Sequence, residues 1–145
     1  MSFLSPEYTY IAFDFETTWL DVQKDEPIQI GIVEFDIEWK IVSEFSSLIK
    51  PQKSIKELKS IVTYLTWFAL DDLEDAPSIA DVIPHISHYF HEKTIVVWQN
   101  VQFDISILQK YLQRTPAGQI DTFPLAKSIL HFQSSYAPVS YTHLR

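Results

Sequence analysis

Tyr10-Ile-Ala-Phe-Asp-Phe-Glu-Thr-Thr18 is the stretch around which the chain is organised. It is an apolar strand that runs into two acids, Asp14 and Glu16, with one aromatic between them. Side chains two apart on a strand share a face, about 7 Å apart along the chain, so the two carboxylates stand side by side. Ile11, Ala12 and Phe13 leave neither face polar before that point, the pattern of a central strand buried on both sides. A lone pair of this kind is ordinarily a solvated strand end, so its meaning depends on what the rest of the chain brings beside it.

Downstream, Thr17 to Glu26 reads as a polar loop holding Trp19 and Leu20, and Pro27 starts a second strand, Ile28 to Phe35. Gly31 inside that strand predicts a bulge or a close approach by another group. Asp36 to Lys40 is a tight connection into a third strand, Ile41 to Ile49, which makes an antiparallel meander. From Ser54 the apolar period turns helical, through Ile55, Leu58, Ile61, Val62 and Leu65. Ser78 caps a second helix whose face is Ile79, Val82, Ile83, Ile86 and Phe90, with Pro84 on the opposite side. Thr94 to Trp98 is a short apolar strand, and Gln99-Asn100 turns it into a helix with Phe103, Ile107, Tyr111 and Leu112 on one stripe. Pro116 to Gln119 reads as a loop, the element order leaving a short strand or loop there, and a last helix follows with Asp121 as its cap and Pro124 in its first turn. This order predicts an α/β domain whose mixed sheet joins a three-strand antiparallel meander to parallel strands, flanked by helices.

A chain of 145 residues is long enough for one domain with a real core. No apolar run of membrane-spanning length occurs, and the first residues lack a basic segment followed by an apolar one, so a cytoplasmic protein with no membrane partner is expected. With no cysteine, disulfides, thiolate zinc sites and cysteine nucleophiles are excluded. The net charge of −8 lacks the basic footprint of bulk nucleic-acid binding. Lys50, Lys53, Lys56 and Lys59 nevertheless cluster, and read as solvated surface or as a phosphate-facing edge. His85, His88 and His91 fan across about 120° of a helix surface, too widely to converge on one zinc ion.

A third acid changes the reading of the first two. Asp104 follows an apolar strand and the Asn100 turn, a geometry that returns a helix N-terminus to the same end of the sheet. Three ionised carboxylates about 5 Å apart repel by roughly 3 kcal/mol per pair at an effective dielectric near 20. Such a cluster takes up protons or holds cations. Oxygen-only ligands select Mg²⁺ or Mn²⁺, and two such ions can activate a water and stabilise the leaving oxygen of a phosphodiester.

Phe13-Asp14-Phe15-Glu16-Thr17-Thr18, then Gln29-Ile30-Gly31, Gln99-Asn100-Val-Gln-Phe103-Asp104 and Ile120-Asp121-Thr122 resemble the first two motifs and a downstream landmark of the DnaQ-like, or DEDD, 3′-to-5′ exonucleases. That family includes the proofreading subunit of bacterial DNA polymerase III, ribonuclease T and oligoribonuclease. The likeness runs from about Tyr8 to Leu130. It implies a ribonuclease H-like fold and two-metal hydrolysis of the terminal nucleotide at the 3′ end of single-stranded DNA or RNA, with a polymerase subunit as a possible partner. By motif position Asp14, Glu16 and Asp104 would ligate two Mg²⁺ or Mn²⁺ ions, and Thr17, Thr18 and Asn100 would face the substrate. Trp67 and Phe68 would wedge or stack against the last base, or else pack a helix end.

The sequence departs from that pattern at Trp19, where the family has glycine, and at its end. The family carries a further aspartate preceded by a general-base histidine or tyrosine, and no aspartate follows Asp121 here. His143 has no acid behind it and is not assigned as the base. The expectation is therefore an exonuclease domain over residues 1–137 that lacks its third motif, a tail over 138–145 of foreign read-through sequence, and activity reduced by orders of magnitude. A non-catalytic module that binds nucleic acid ends or docks on a polymerase is the alternative, and a plain structural domain is the third.

Overall fold

In a computed structural model, the structure describes residues 4–18, 26–52 and 70–129. Strands β1 (Thr9–Thr17), β2 (Pro27–Phe35) and β3 (Ile41–Leu48) form the meander. Helices α1 (Leu70–Glu74) and α2 (Ile79–Ile86) follow, and α2 closes in a 3₁₀ turn at Ser87–Tyr89. The chain continues through β4 (Thr94–Trp98), α3 (Val101–Gln109), β5 (Gly118–Asp121) and α4 (Thr122–Ile129). The sheet order is β3-β2-β1-β4-β5, so β1 is central. It pairs antiparallel with β2 and parallel with β4, and β4 pairs parallel with β5. The predicted mixed α/β sheet is what forms.

Strand alternation sorts the two faces of β1. Ile11, Phe13 and Phe15 point into the core, where Phe13 lies opposite Ile32 and Phe15 opposite Ile30. The helices cover this face with Ile79, Val82 and Ile86 of α2 and Val101, Ile105 and Leu108 of α3. Phe13 and Phe90 meet edge to face at 5.0 Å between ring centroids, a contact worth about 1 kcal/mol beyond the area it buries. The opposite face carries Ala12, Asp14 and Glu16. Burial on both sides was the expectation; among the described residues, Ala12 and Asp14 are only half-buried and line an open groove.

Gly31 corrects another expectation. Its pairing with Asp14 and Ser46 is regular, and a side chain built there would meet nothing within 4 Å. It is neither a bulge nor a close approach, and its missing Cβ leaves open the floor of that groove.

Local chemistry explains the element boundaries. In the turn between β2 and β3, Asp36 Oδ1 accepts from the N–H groups of Glu38 and Lys40, at 2.8 and 3.0 Å. Trp39 there adopts a φ of 65° and stacks on Phe35. Ser78 caps α2 in a reciprocal box with Asp81: each side chain accepts from the other's backbone N–H. Pro84 sits exposed inside α2, and Ser87 Oγ donates to its carbonyl. The helix stops at Ile86 rather than reaching Phe90.

Two further readings shift. Val101, Asp104, Ile105, Ile107, Leu108 and Leu112 are buried, so Ile107 and Leu112 lie inside as expected, while Phe103 and Tyr111 are half-buried. The stripe was only half placed because the buried face includes a carboxylate, which apolar periodicity does not count. Residues 118–121 form β5, where a loop was read over 116–119 and the element order left a short strand or loop. Its hydrogen bonds come from β4, and its exposed Gln119 and Ile120 give no alternation to read. The helix expected from Ser54, the placements of Trp67 and Phe68, and the boundary at residue 137 lie outside the described residues. No helix among the described residues is long and apolar enough to cross a membrane.

Candidate active site

The parallel pairing of β1 and β4 brings the C-terminal ends of both strands to one edge of the molecule. The ladder between them ends at Ile11 and Val96, after which the strands part. An N–H of β1 beyond that point has lost its strand partner on that side, and a buried N–H without an acceptor is costly. Asp104 fills the position: its Oδ1 accepts from the Phe15 N–H at 2.9 Å, 89 positions apart in sequence. Phe15 lies between Asp14 and Glu16, so this bond ties the third acid to the backbone midway between the first two.

The turn from β4 into α3 sets where Asp104 stands. Asn100 adopts a left-handed conformation, φ 54° and ψ 37°, which asparagine tolerates better than most residues. Its backbone N–H donates to Asp121 Oδ1 at 3.1 Å, and the same oxygen accepts from the Phe123 N–H at 2.9 Å. Asp121 thus caps α4, as expected, and also pins the turn that launches α3. The Asn100 side chain is exposed and makes no cap for α3.

Burial governs the charge of the three acids. Asp104 is 4% exposed, and its pKa is pushed up to about 7, first by burial and then by the charges of Asp14 and Glu16. The N–H bonds from Phe15 and from its own backbone oppose that rise. Burial also raises the pKa of Asp14, against the lowering effect of a bond from Trp98 Nε1 at 3.1 Å. Glu16, at the open rim, is raised by burial of its carboxylate and by Asp14. Asp14 raises the pKa of both other acids and Glu16 that of Asp104, and such a site attracts protons or cations. Among the described residues, no three carboxylate or imidazole groups are gathered closely enough to enclose a metal ion as they stand.

The remaining predicted residues take different places. Thr17 ends β1 half-buried. Thr18 is buried and ties the end of β1 to Glu26: its N–H donates to the Glu26 carbonyl, and its Oγ1 accepts from the Glu26 N–H. The three histidines are elsewhere. His85 stacks on Phe45, His88 lies against Tyr89, and His91 Nδ1 accepts from the Lys93 N–H. Beside Asp14 a groove of about 470 Å³ runs along the sheet face, bounded by Ala12, Gly31, Phe45, Ser46 and Trp98. Sequence reasoning passed over Trp98 as a member of this site and took Asp121 as a helix cap first and a site member second. The available signal for Trp98 was an indole N–H at the end of an apolar strand, a donor that needs an acceptor when buried.

Three comparisons bear on this arrangement. Residues 11–139 match a family model described as Exonuclease. The PolC-type DNA polymerase III of Thermotoga petrophila is 37% identical over 131 residues, which are 87% of this chain and 9% of that protein. The DNA polymerase III subunit epsilon of Treponema pallidum is 31% identical over 126 residues, 83% of this chain and 56% of the relative. The chain therefore spans only a small part of the PolC-type relatives it matches. Among solved structures, Escherichia coli exonuclease I in complex with a 5cy-dA13 oligonucleotide has the same fold, with a TM-score of 0.67 at 16% identity, over 87% of this chain and 30% of that one.

Proposed function

The chain belongs to the exonuclease family, and on that footing we propose that it is a divalent-metal-dependent exonuclease acting at the 3′ end of single-stranded DNA or RNA. The observation that carries the reading is the Asp104 carboxylate bound to the Phe15 N–H between Asp14 and Glu16, at the shared end of two parallel strands. The donor set fits a hard cation: oxygen ligands only, with no cysteine or histidine beside them. Asp14, Glu16 and Asp104 would hold Mg²⁺ or Mn²⁺. Such ions supply an acidified water for attack on phosphorus and charge to stabilise the departing 3′ oxygen.

The chain's own residues do the positioning. The Phe15 N–H and the Trp98 indole each hold one carboxylate by its Oδ1, whereas Glu16 takes no hydrogen bond from a described residue and is the member able to adjust. Thr17 and Asn100, at the strand end and the helix start beside the acids, would meet the terminal nucleotide. Thr18 ties the end of β1 to Glu26. Trp67 and Phe68 remain candidates for stacking on the last base. The relatives' names make a replicative polymerase a fitting partner and the bacterial cytoplasm a fitting place.

The test is digestion of 5′-labelled single strands of DNA and RNA. Shortening from the 3′ end that requires Mg²⁺ or Mn²⁺ and falls by about two orders of magnitude or more in Asp14→Ala is the expected result. Digestion that survives both EDTA and that substitution would refute the mechanism. A second reading, an exonuclease-like module that binds ends without cutting them, is favoured by the spacing of the acids, which do not enclose an ion as they stand. Tight binding of single strands with no digestion in either metal would select it.

A further inference from the structure

We propose that Trp98 is a positioning residue that orients Asp14 for cation binding. The inference rests on the proposed metal-dependent function. The indole Nε1–H donates to Asp14 Oδ1 at 3.1 Å, and no described residue donates to Oδ2, which is the oxygen left to serve as ligand. Trp98 lies beyond the Ile11–Val96 pair, where the β1–β4 ladder ends; its half-buried side chain packs against the hydrophobic core and borders the groove that Asp14 also lines. That packing supports the ring.

The chemistry of the donor suits the task. An indole N–H donates but does not accept, and it carries no charge. It therefore fixes one carboxylate oxygen without neutralising the carboxylate and without repelling an incoming cation, which a lysine or arginine there would do. Among the described residues, no other group donates a hydrogen bond to that carboxylate. The residue paired across from Asp14 is Gly31, whose missing Cβ leaves open space. Groups that orient metal ligands through a hydrogen bond typically account for 10- to 100-fold in metal affinity.

Two substitutions separate the hydrogen bond from packing. Trp98→Phe removes the N–H and part of the ring. Replacement of Trp98 by benzothienylalanine keeps the bicyclic shape and puts sulfur where the N–H was. Mn²⁺ affinity is read from the electron paramagnetic resonance signal of the free ion, alongside the melting temperature of each protein. The expected result is Mn²⁺ binding by the unsubstituted chain, weakened roughly tenfold or more in both variants, with the melting temperature of the benzothienylalanine protein unchanged. Unaltered Mn²⁺ affinity in that protein overturns the inference, even if Trp98→Phe binds more weakly, because packing would then be the cause. Absence of Mn²⁺ binding by the unsubstituted chain would overturn the proposed function and this inference with it.

Discussion

Asp104 concentrates the conflict between stability and function in one side chain. Its pKa is raised from 3.8 to about 7, so between those values the folded chain keeps a proton that the unfolded chain has released. A raised carboxylate pKa means stability is highest below 3.8, declines as the pH climbs towards 7, and stays low above it. Asp104→Asn keeps an oxygen for the Phe15 N–H and removes the charge. Its melting curves should show an advantage over the metal-free parent that grows from about pH 4 to pH 7 and then levels off, reaching roughly 2–4 kcal/mol. The same substitution should eliminate Mn²⁺ binding. Equal stability of the two proteins at pH 8 would show that Asp104 is not held against its charge. Asp14, Glu16 and Asp104 were legible as candidates because the strand, the Asn100 turn and the helix that follows return Asp104 to the end of the sheet that carries the other two. Phe15 and Trp98 were not, because their roles depend on where two strands part company.

At the scale of elements, caps and turns carry the predictions. Ser78→Ala breaks the reciprocal box with Asp81 and should lower stability in denaturant by about 1 kcal/mol. Asp121→Ala takes the acceptor from two backbone N–H groups at once, those of Asn100 and Phe123. A loss of about 1–3 kcal/mol is expected, together with faster amide exchange at the start of α3; exchange confined to α4 would mean that Asp121 is a cap alone. Gly31→Ala should raise stability by roughly 0.5–1 kcal/mol, since the strand geometry is regular and the added methyl meets nothing within 4 Å. A fall in stability there would mean the space is needed. The meander, α2 with its Ser78 cap and β4 were readable from turn residues and periodicity. β5 was not, since an edge strand of four residues with two exposed side chains borrows its structure from β4. The stripe of α3 was read in part, through Ile107 and Leu112, and missed where it includes the one buried acid of that helix.

For the molecule as a whole, the sheet order is the reason the site exists. A meander followed by a crossover to the other side of β1 sets the end of the first strand against the start of α3, and so joins residues 14–16 to residue 104. The mixed sheet followed from the order of elements, whereas the open face beside Asp14 did not, because Ala12 reads as core in sequence and lines a groove in the fold. A cation bound by the folded chain alone should stabilise it by mass action, so Mn²⁺ should raise the melting temperature most at pH 8, where the acids repel, and least at pH 5. The central claim is that these three carboxylates hold a divalent metal. Isothermal calorimetry of Mn²⁺ into the chain at pH 8, repeated with Asp14→Ala and Asp104→Asn, tests it most directly. Saturable binding that both substitutions abolish is the predicted result, and no binding, or binding that survives both, would contradict it.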